Sequence, residues 1–220
     1  MWLARRCLSL RVERPARHLG AADAVRRHSS PHVQSAQVAC KFVTVVDAYF
    51  LDTIRWQFRV AWSLASDINL PRLTDNRCLW LPHPDAETVR QHSNGTWVGD
   101  WGQEPAPGEP WFASVAWLTW HLQMWLTQAL AEARQQPVPD RGTIYWPGTA
   151  AGVRVELDRL ATEWQAILGN AEEMDLERPT RFPWPDPRPL HRLLGWANLE
   201  LMKNVAEIGL AINSATAAVG

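Results

Sequence analysis

The chain has 220 residues and a mass of 25.0 kDa, with 46% apolar and 20% charged residues, the composition of an ordinary globular domain with a sizeable core. A net charge of −1 and an isoelectric point near 6.7 leave no electrostatic footprint for nucleic acid or an anionic membrane surface. Cys7, Cys40 and Cys78 form neither a CxxC pair nor an even framework, which argues against a zinc ribbon or a disulfide scaffold and makes the reducing cytoplasm the expected location.

Residues 1–42 hold eight Arg and Lys against two acids, a net +6, whereas the remainder is net −7. This first stretch mixes Arg pairs with Ser, His and Ala (RRHSSPHVQSAQ) without apolar periodicity, and it lacks the apolar core of a secretory signal. It reads as a disordered basic extension. Its expected origin is a start codon set too far upstream, with the native start near Val43 to Val46 through a GTG codon; an organellar presequence and a functional basic arm are the alternatives.

From residue 43 onward the prolines mark the boundaries, because each one removes a helix hydrogen bond and adds a clash. Residues 44–68, 111–135, 149–177 and 190–214 are free of proline, and the three intervals between them hold 14 of the 16 in the chain. Each window is long enough for a bundle helix and none alternates with period two, so the chain is expected to be all-α, with a helical domain over 43–214 and a flexible tail over 215–220. In the first window Asp52, Arg55 and Arg59 have the spacing of a solvated salt-bridge face. Thr74-Asp75 predicts a short helical turn ending near Trp80. A long connection rich in Pro, Gly and Trp then runs from Leu81 to Glu109, and its GTWVGDW segment (Gly95 to Trp101) is read as plugging an end of the bundle. Pro110 is placed in the first turn of the second helix, Thr149 at the N-cap of the third, and Asp186 before Pro187 at the cap of the fourth. Neither apolar stretch spans a bilayer: Phe112 to Leu122 is too short, and Leu193 to Ile212 contains Glu200, Lys203, Asn204 and Glu207.

In the second window Trp117, His121 and Trp125 recur every four residues, drifting only about 40° per step along one face. Gln128 lies on the same arc, whereas Thr119, Gln123 and Thr127 fall opposite, so His121 is expected to point inward. Two readings are open for it, a hydrogen-bonded core histidine and a ligand. In the fourth window Glu200, Lys203, Asn204 and Glu207 share an arc with Trp196. That arc is either the solvent face of an otherwise apolar helix or a set of side chains turned into the bundle. No GxSxG, phosphate-binding glycine loop or HExxH is present. The 14 tryptophans, and 20 arginines against only Lys41 and Lys203, need a structural or binding explanation.

The segments PWFASVAWLTWHLQMW (Pro110 to Trp125), preceded by GTWVGDW and followed by YWPGTAAG, and then WANLELMKNVAEIG (Trp196 to Gly209), resemble the DinB-like superfamily over most of residues 46–213. The resemblance implies a four-helix bundle of up-down-down-up order, often a homodimer. It also implies a divalent metal held by one histidine of the second helix and two histidines four apart on the last. His121 matches the first position, while the other two fall on Glu200 and Asn204. Of the zinc, nickel, iron or manganese that the resemblance implies, such a set would suit manganese or iron better than zinc, and Lys203 turned inward could pair with Glu200 and replace the metal's charge. The implied site is therefore His121, Glu200 and Asn204, with Lys203, Glu207, Trp117, Trp125, Gln128 and Trp196 lining or supporting it. Resemblance to metal-dependent thiol transferases and to the mycothiol-dependent maleylpyruvate isomerase branch implies transfer to a thiol or hydrolysis. The alternative is a metal-free bundle that binds a small aromatic or apolar molecule, or a partner chain, without catalysis. Intact mass spectrometry of the protein from its native source tests the start-codon reading: a mass beginning at Val43 to Val46 is expected, and one beginning at Met1 rejects it.

Overall fold

The computed structural model describes residues 32–102, 110–171 and 174–219; most of the expected basic extension, residues 1–31, lies outside the described residues. The chain divides into a unit ending at Phe50 and one beginning at Leu51. Among the described residues the first unit contributes only helix, the N-terminal part of α1 (His32–Ser63). The second unit completes α1, which passes through a π-helical turn (Leu64–Asn69) and a 3-10 turn (Leu70–Arg72) into the short α2 (Asp75–Leu79). A two-stranded antiparallel hairpin follows, β1 (Val89–Gln91) with β2 (Trp97–Gly99), Arg90 facing Val98. Then come α3 (Val115–Ala133), α4 (Ala150–Gly169), a second small hairpin of β3 (Pro179–Thr180) with β4 (Arg188–Pro189), and α5 (Leu190–Val219).

Among the described residues the molecule is predominantly helical, and the four proline-free windows carry four long helices, the first of which already begins at His32, inside the stretch expected to be disordered. Their ends differ from expectation where a cap decides the boundary. α3 begins at Val115 rather than beside Pro110, because the Ser114 hydroxyl accepts from the Trp117 amide at 3.1 Å and closes the first turn. α5 begins at Leu190 and not behind Asp186, since Arg188 and Pro189 are held in a strand by pairing with Thr180 and Pro179. It also continues through the expected flexible tail to Val219, with Ala215 buried. Thr149 caps α4 as expected, accepting from the Gly152 amide, and Thr74 caps α2, which ends at Trp80.

Within the second unit α3 is the central element. It packs against α4, α5, α2 and the β1–β2 hairpin, and 16 of its 19 residues are buried. The expected polar side of this helix is therefore not in water. The Thr119 hydroxyl donates back to the Val115 or Ala116 carbonyl and accepts from the Trp146 indole, and Gln123 donates to the Tyr145 carbonyl at 3.0 Å. Leu51, Ile54, Phe58 and Ala61 form the buried stripe of α1, and two side chains tie this stripe to its neighbours. Asn198 of α5 donates to the Ile54 carbonyl at 2.6 Å and accepts from the Trp164 indole of α4 at 3.1 Å. The Arg55 guanidinium of the expected salt-bridge face donates to the Leu168 and Gly169 carbonyls at the C-terminal end of α4. Asp52 and Arg59 do remain exposed.

Gly99 fixes how β2 lies on α3, because a Cβ at this position would overlap the Trp120 ring. Gly195, inside α5, has no neighbour within 4 Å of such a Cβ. Gly99→Ala is expected to cost about 2 kcal/mol by overpacking, and Gly195→Ala to stabilise by about 0.5–1 kcal/mol through the lost freedom of the unfolded chain. Urea unfolding of the two variants, with opposite shifts of midpoint, checks both signs.

Candidate functional site

Leaving a buried donor or acceptor unpaired costs about 1–3 kcal/mol, and the buried polar groups of α3 find partners inside the protein except the Thr127 hydroxyl, which has none. His121 is 7% exposed and lies where α3 meets α5. Its Nε2 accepts from the Trp125 indole N–H at 2.5 Å. Trp125 has only a donor to offer, so the ring proton must sit on Nδ1, which donates to Asn204 Oδ1 at 2.9 Å. Asn204, with no exposure, then presents its NH2 group to the Glu200 backbone carbonyl at 2.7 Å and to Glu200 Oε2 at 3.4 Å. Glu200 is 4% exposed, and the half-buried Lys203 closes the row with Nζ 2.8 Å from the same Oε2.

The N–H groups from Trp125 through His121 to Asn204 all point the same way, and they converge with the Lys203 ammonium on one carboxylate. Donors aligned in this way polarise one another. Burial, reinforced by the Lys203 charge, pushes the His121 pKa down to about 3 against the opposing Asn204 hydrogen bond. Glu207, partly buried one turn beyond Asn204, has its carboxyl raised by burial, with Lys203 pulling the other way and Glu200 adding to the rise.

The aromatic surroundings of His121 are continuous. Trp117 stacks on its ring, centroids 4.6 Å apart and 20° between planes, and Trp101 lies 6.1 Å away on the outer side. Trp125 meets Trp196 edge-on at 5.0 Å, with Phe182 against both. The crevice between Leu122, Trp125, Trp196 and Glu200 is too narrow to admit a water molecule, and the buried Trp196 indole N–H has no hydrogen-bond partner there. The interior tryptophans thus fill the space between the helices by packing on one another. Toward the surface, Trp101 is 38% and Trp111 41% exposed, Phe112 is similarly open, and the Arg141 guanidinium lies 4.3 Å over the Trp101 ring. Trp97 packs edge-on against Trp146 and Trp101 against Trp117 and Trp120, so the GTWVGDW segment does close one end of the helices.

Of the sequence-derived residues, His121, Glu200, Asn204, Lys203 and Trp125 form one bonded row, and Trp117 and Trp196 flank it. The burial of Glu200 and Asn204 overturns the solvent-face reading of their arc. Gln128 stands apart, donating to the Pro139 carbonyl at 2.9 Å. Asn198 escaped the sequence reading, although an asparagine between Ala197 and Leu199 in an apolar helix is the signal that could have found it. As arranged, the donors do not fit a divalent cation. Nδ1 of His121 carries a proton, Nε2 is taken by Trp125, and the Glu200 carboxylate already has an ammonium. Among the described residues no group of three or more His, Cys, Asp or Glu side chains comes together, and no helix is long and apolar enough to cross a membrane.

A family model described as the DinB superfamily matches residues 57–208. No curated protein and no solved structure matches the chain.

The depressed His121 pKa fixes a pH dependence. Below its ordinary value of 6.5 the unfolded chain binds a proton at this ring that the folded chain refuses until about pH 3. Its contribution is therefore complete above pH 6.5 and is lost as the pH falls toward 3. Stability from urea unfolding is expected to rise with pH across this window by up to ~1.4 kcal/mol per unit, and His121→Gln is expected to flatten that rise.

Proposed function

The chain belongs to the DinB superfamily, and from that premise we propose that it is a metal-independent member, a four-helix bundle of up-down-down-up order that binds a small aromatic or apolar molecule without catalysis. One observation carries the reading: both ring nitrogens of His121 are engaged, by Trp125 and by Asn204, in a tautomer that leaves no lone pair for a metal. The packing of α3 against both α4 and α5, and the links from α1 to α4 and α5 through Arg55 and Asn198, support the bundle.

The competing reading is a thiol transferase or hydrolase working through manganese, iron, nickel or zinc on His121, Glu200 and Asn204. It requires His121 to release a partner and Lys203 to leave Glu200, two rearrangements of buried polar groups. The filled interior favours binding at the open aromatic end, where Trp101, Trp111 and Phe112 offer ring faces and Arg141 a neighbouring charge. The outward face of α1, with Trp56 and Val60 exposed, supports a homodimer.

Metal content of the untagged protein by plasma mass spectrometry, beside His121→Ala, tests the choice. No stoichiometric metal is expected in either. A metal present in the wild type and lost in the variant would return the enzyme reading. Anilinonaphthalene sulfonate serves as an aromatic probe, and Trp101→Ala is expected to weaken its binding about tenfold, a loss of stacking.

A further inference from the structure

We infer that the ligand of the open aromatic end is an aromatic carboxylate, its carboxylate held by Arg141 and its ring by the exposed indoles of Trp101 and Trp111. The inference rests on the aromatic-binding reading above and adds to it the charge of the ligand and the residue that selects it.

The ring side is fastened to α3. Trp101 faces the Trp117 ring with centroids 6.5 Å apart, and Trp111 meets the same ring edge-on at 5.2 Å, so the two exposed indoles adjoin. Both neighbours of Trp101 in the chain are held. The Asp100 carbonyl accepts from the Trp117 indole at 2.6 Å, and the Gly102 amide donates to Glu87 Oε1 at 3.0 Å.

The charge side comes from the connection between α3 and α4, where Arg141 opens a single 3-10 turn (Arg141–Thr143). Three side chains of α3 hold the backbone around that turn: Gln128 donates to the Pro139 carbonyl, Trp120 to the Ile144 carbonyl and Gln123 to the Tyr145 carbonyl. The exposed guanidinium is thus presented from a fixed base, 4.3 Å over the Trp101 ring. Stacking occupies the face of a guanidinium and leaves its N–H donors, which lie in its plane, to meet an acceptor. Among the described residues none takes them. The Asp140 carboxylate, next in the chain, accepts from the Gly142 amide at 2.8 Å, Asp100 is paired with Arg90 at 2.8 Å, and Glu87 is engaged by Gly102.

A planar cationic fork with its donors unused, set beside exposed ring faces, selects a particular chemistry. A carboxylate matches the fork with two parallel N–H···O bonds, and an aromatic ring joined to it supplies the apolar face that the indoles lack. A neutral aromatic leaves the fork to water, and an aromatic ammonium meets a like charge. Because the ring side and the charge side are both pinned to α3, binding orders few further side chains.

The test is equilibrium dialysis of the full chain against naphthoate and naphthamide, which share one ring system and differ in charge. Wild type, Arg141→Gln and Arg141→Lys are compared, and circular dichroism reports whether each keeps its helicity. Wild type is expected to hold naphthoate about fivefold more tightly than naphthamide, the scale of one solvent-exposed ion pair, and the preference is expected to shrink as salt is added. Arg141→Gln is expected to weaken naphthoate to the level of naphthamide while leaving naphthamide as in wild type, with Arg141→Lys, which keeps the charge but not the fork, in between. Equal binding of the two probes by wild type overturns the inference and leaves the aromatic-binding reading standing. Binding of neither probe overturns both. A preference that survives in Arg141→Gln, or an equal loss of both probes in that variant, overturns the assignment to Arg141, the first because the charge lies elsewhere and the second because the arginine then serves only to support the rings.

Discussion

A helix with 16 of its 19 residues buried can pass few polar groups to water, and that constraint on α3 governs the rest of the structure. Thr119 and Gln123 each take their partners from the segment that follows α3, at Trp146 and Tyr145. This fixes where that segment lies. His121 takes its partner from α5 and so sets the meeting of the two helices at Asn204, and Asn204 brings the Glu200 carboxylate within reach. Once an anion is buried, a cation must follow it, and Lys203 is that cation. The polar row is thus a cascade of obligations begun by one histidine on the buried part of a helix.

The two compositional oddities find their use in the same constraint. Indole N–H groups anchor connecting segments to α3, Trp117 donating to the Asp100 carbonyl at 2.6 Å and Trp120 to the Ile144 carbonyl at 2.7 Å, and Trp164 of α4 donates to Asn198 of α5 at 3.1 Å. A tryptophan combines a large apolar area with one directional donor, which suits a chain whose connections must be pinned to a buried helix. The arginines act on the opposite kind of group. Arg55 holds the Leu168 and Gly169 carbonyls, Arg178 the Ala133 carbonyl at the end of α3, Arg154 the Leu73 carbonyl and Arg77 the Arg72 carbonyl. Several of these are orphan acceptors at helix ends.

Proline placement and periodicity made the four long helices legible, along with the Thr149 and Thr74 caps and the inward turn of His121, because those features depend on neighbours in sequence. What escaped depends on partners far along the chain. The environment of Thr119 and Gln123 was misjudged because a polar residue on a helix gives the same pattern whether it meets water or a partner far along the chain, here the Trp146 indole and the Tyr145 carbonyl. The carbonyl acceptors of Arg55 could not be read from the sequence, because backbone carbonyls carry no residue identity. The arc of Glu200 and Asn204 had two readings in the sequence, and only the position of α3 beside α5 separates them. Gln128 shares the helical face of His121 but lies two turns along it, where the segment between α3 and α4 passes at Pro139.

The guanidinium clamps on backbone carbonyls have one more consequence. Arginine stays charged at any pH a protein survives, so acid or alkali cannot discharge these clamps as it can a carboxylate or an amine. A dissolved guanidinium ion, however, is the same chemical group offered at molar concentration to the same acceptors. Urea lacks that charge. The ends of α3 and α4 are thus insulated against proton chemistry and open to direct competition from a look-alike of their own side chains.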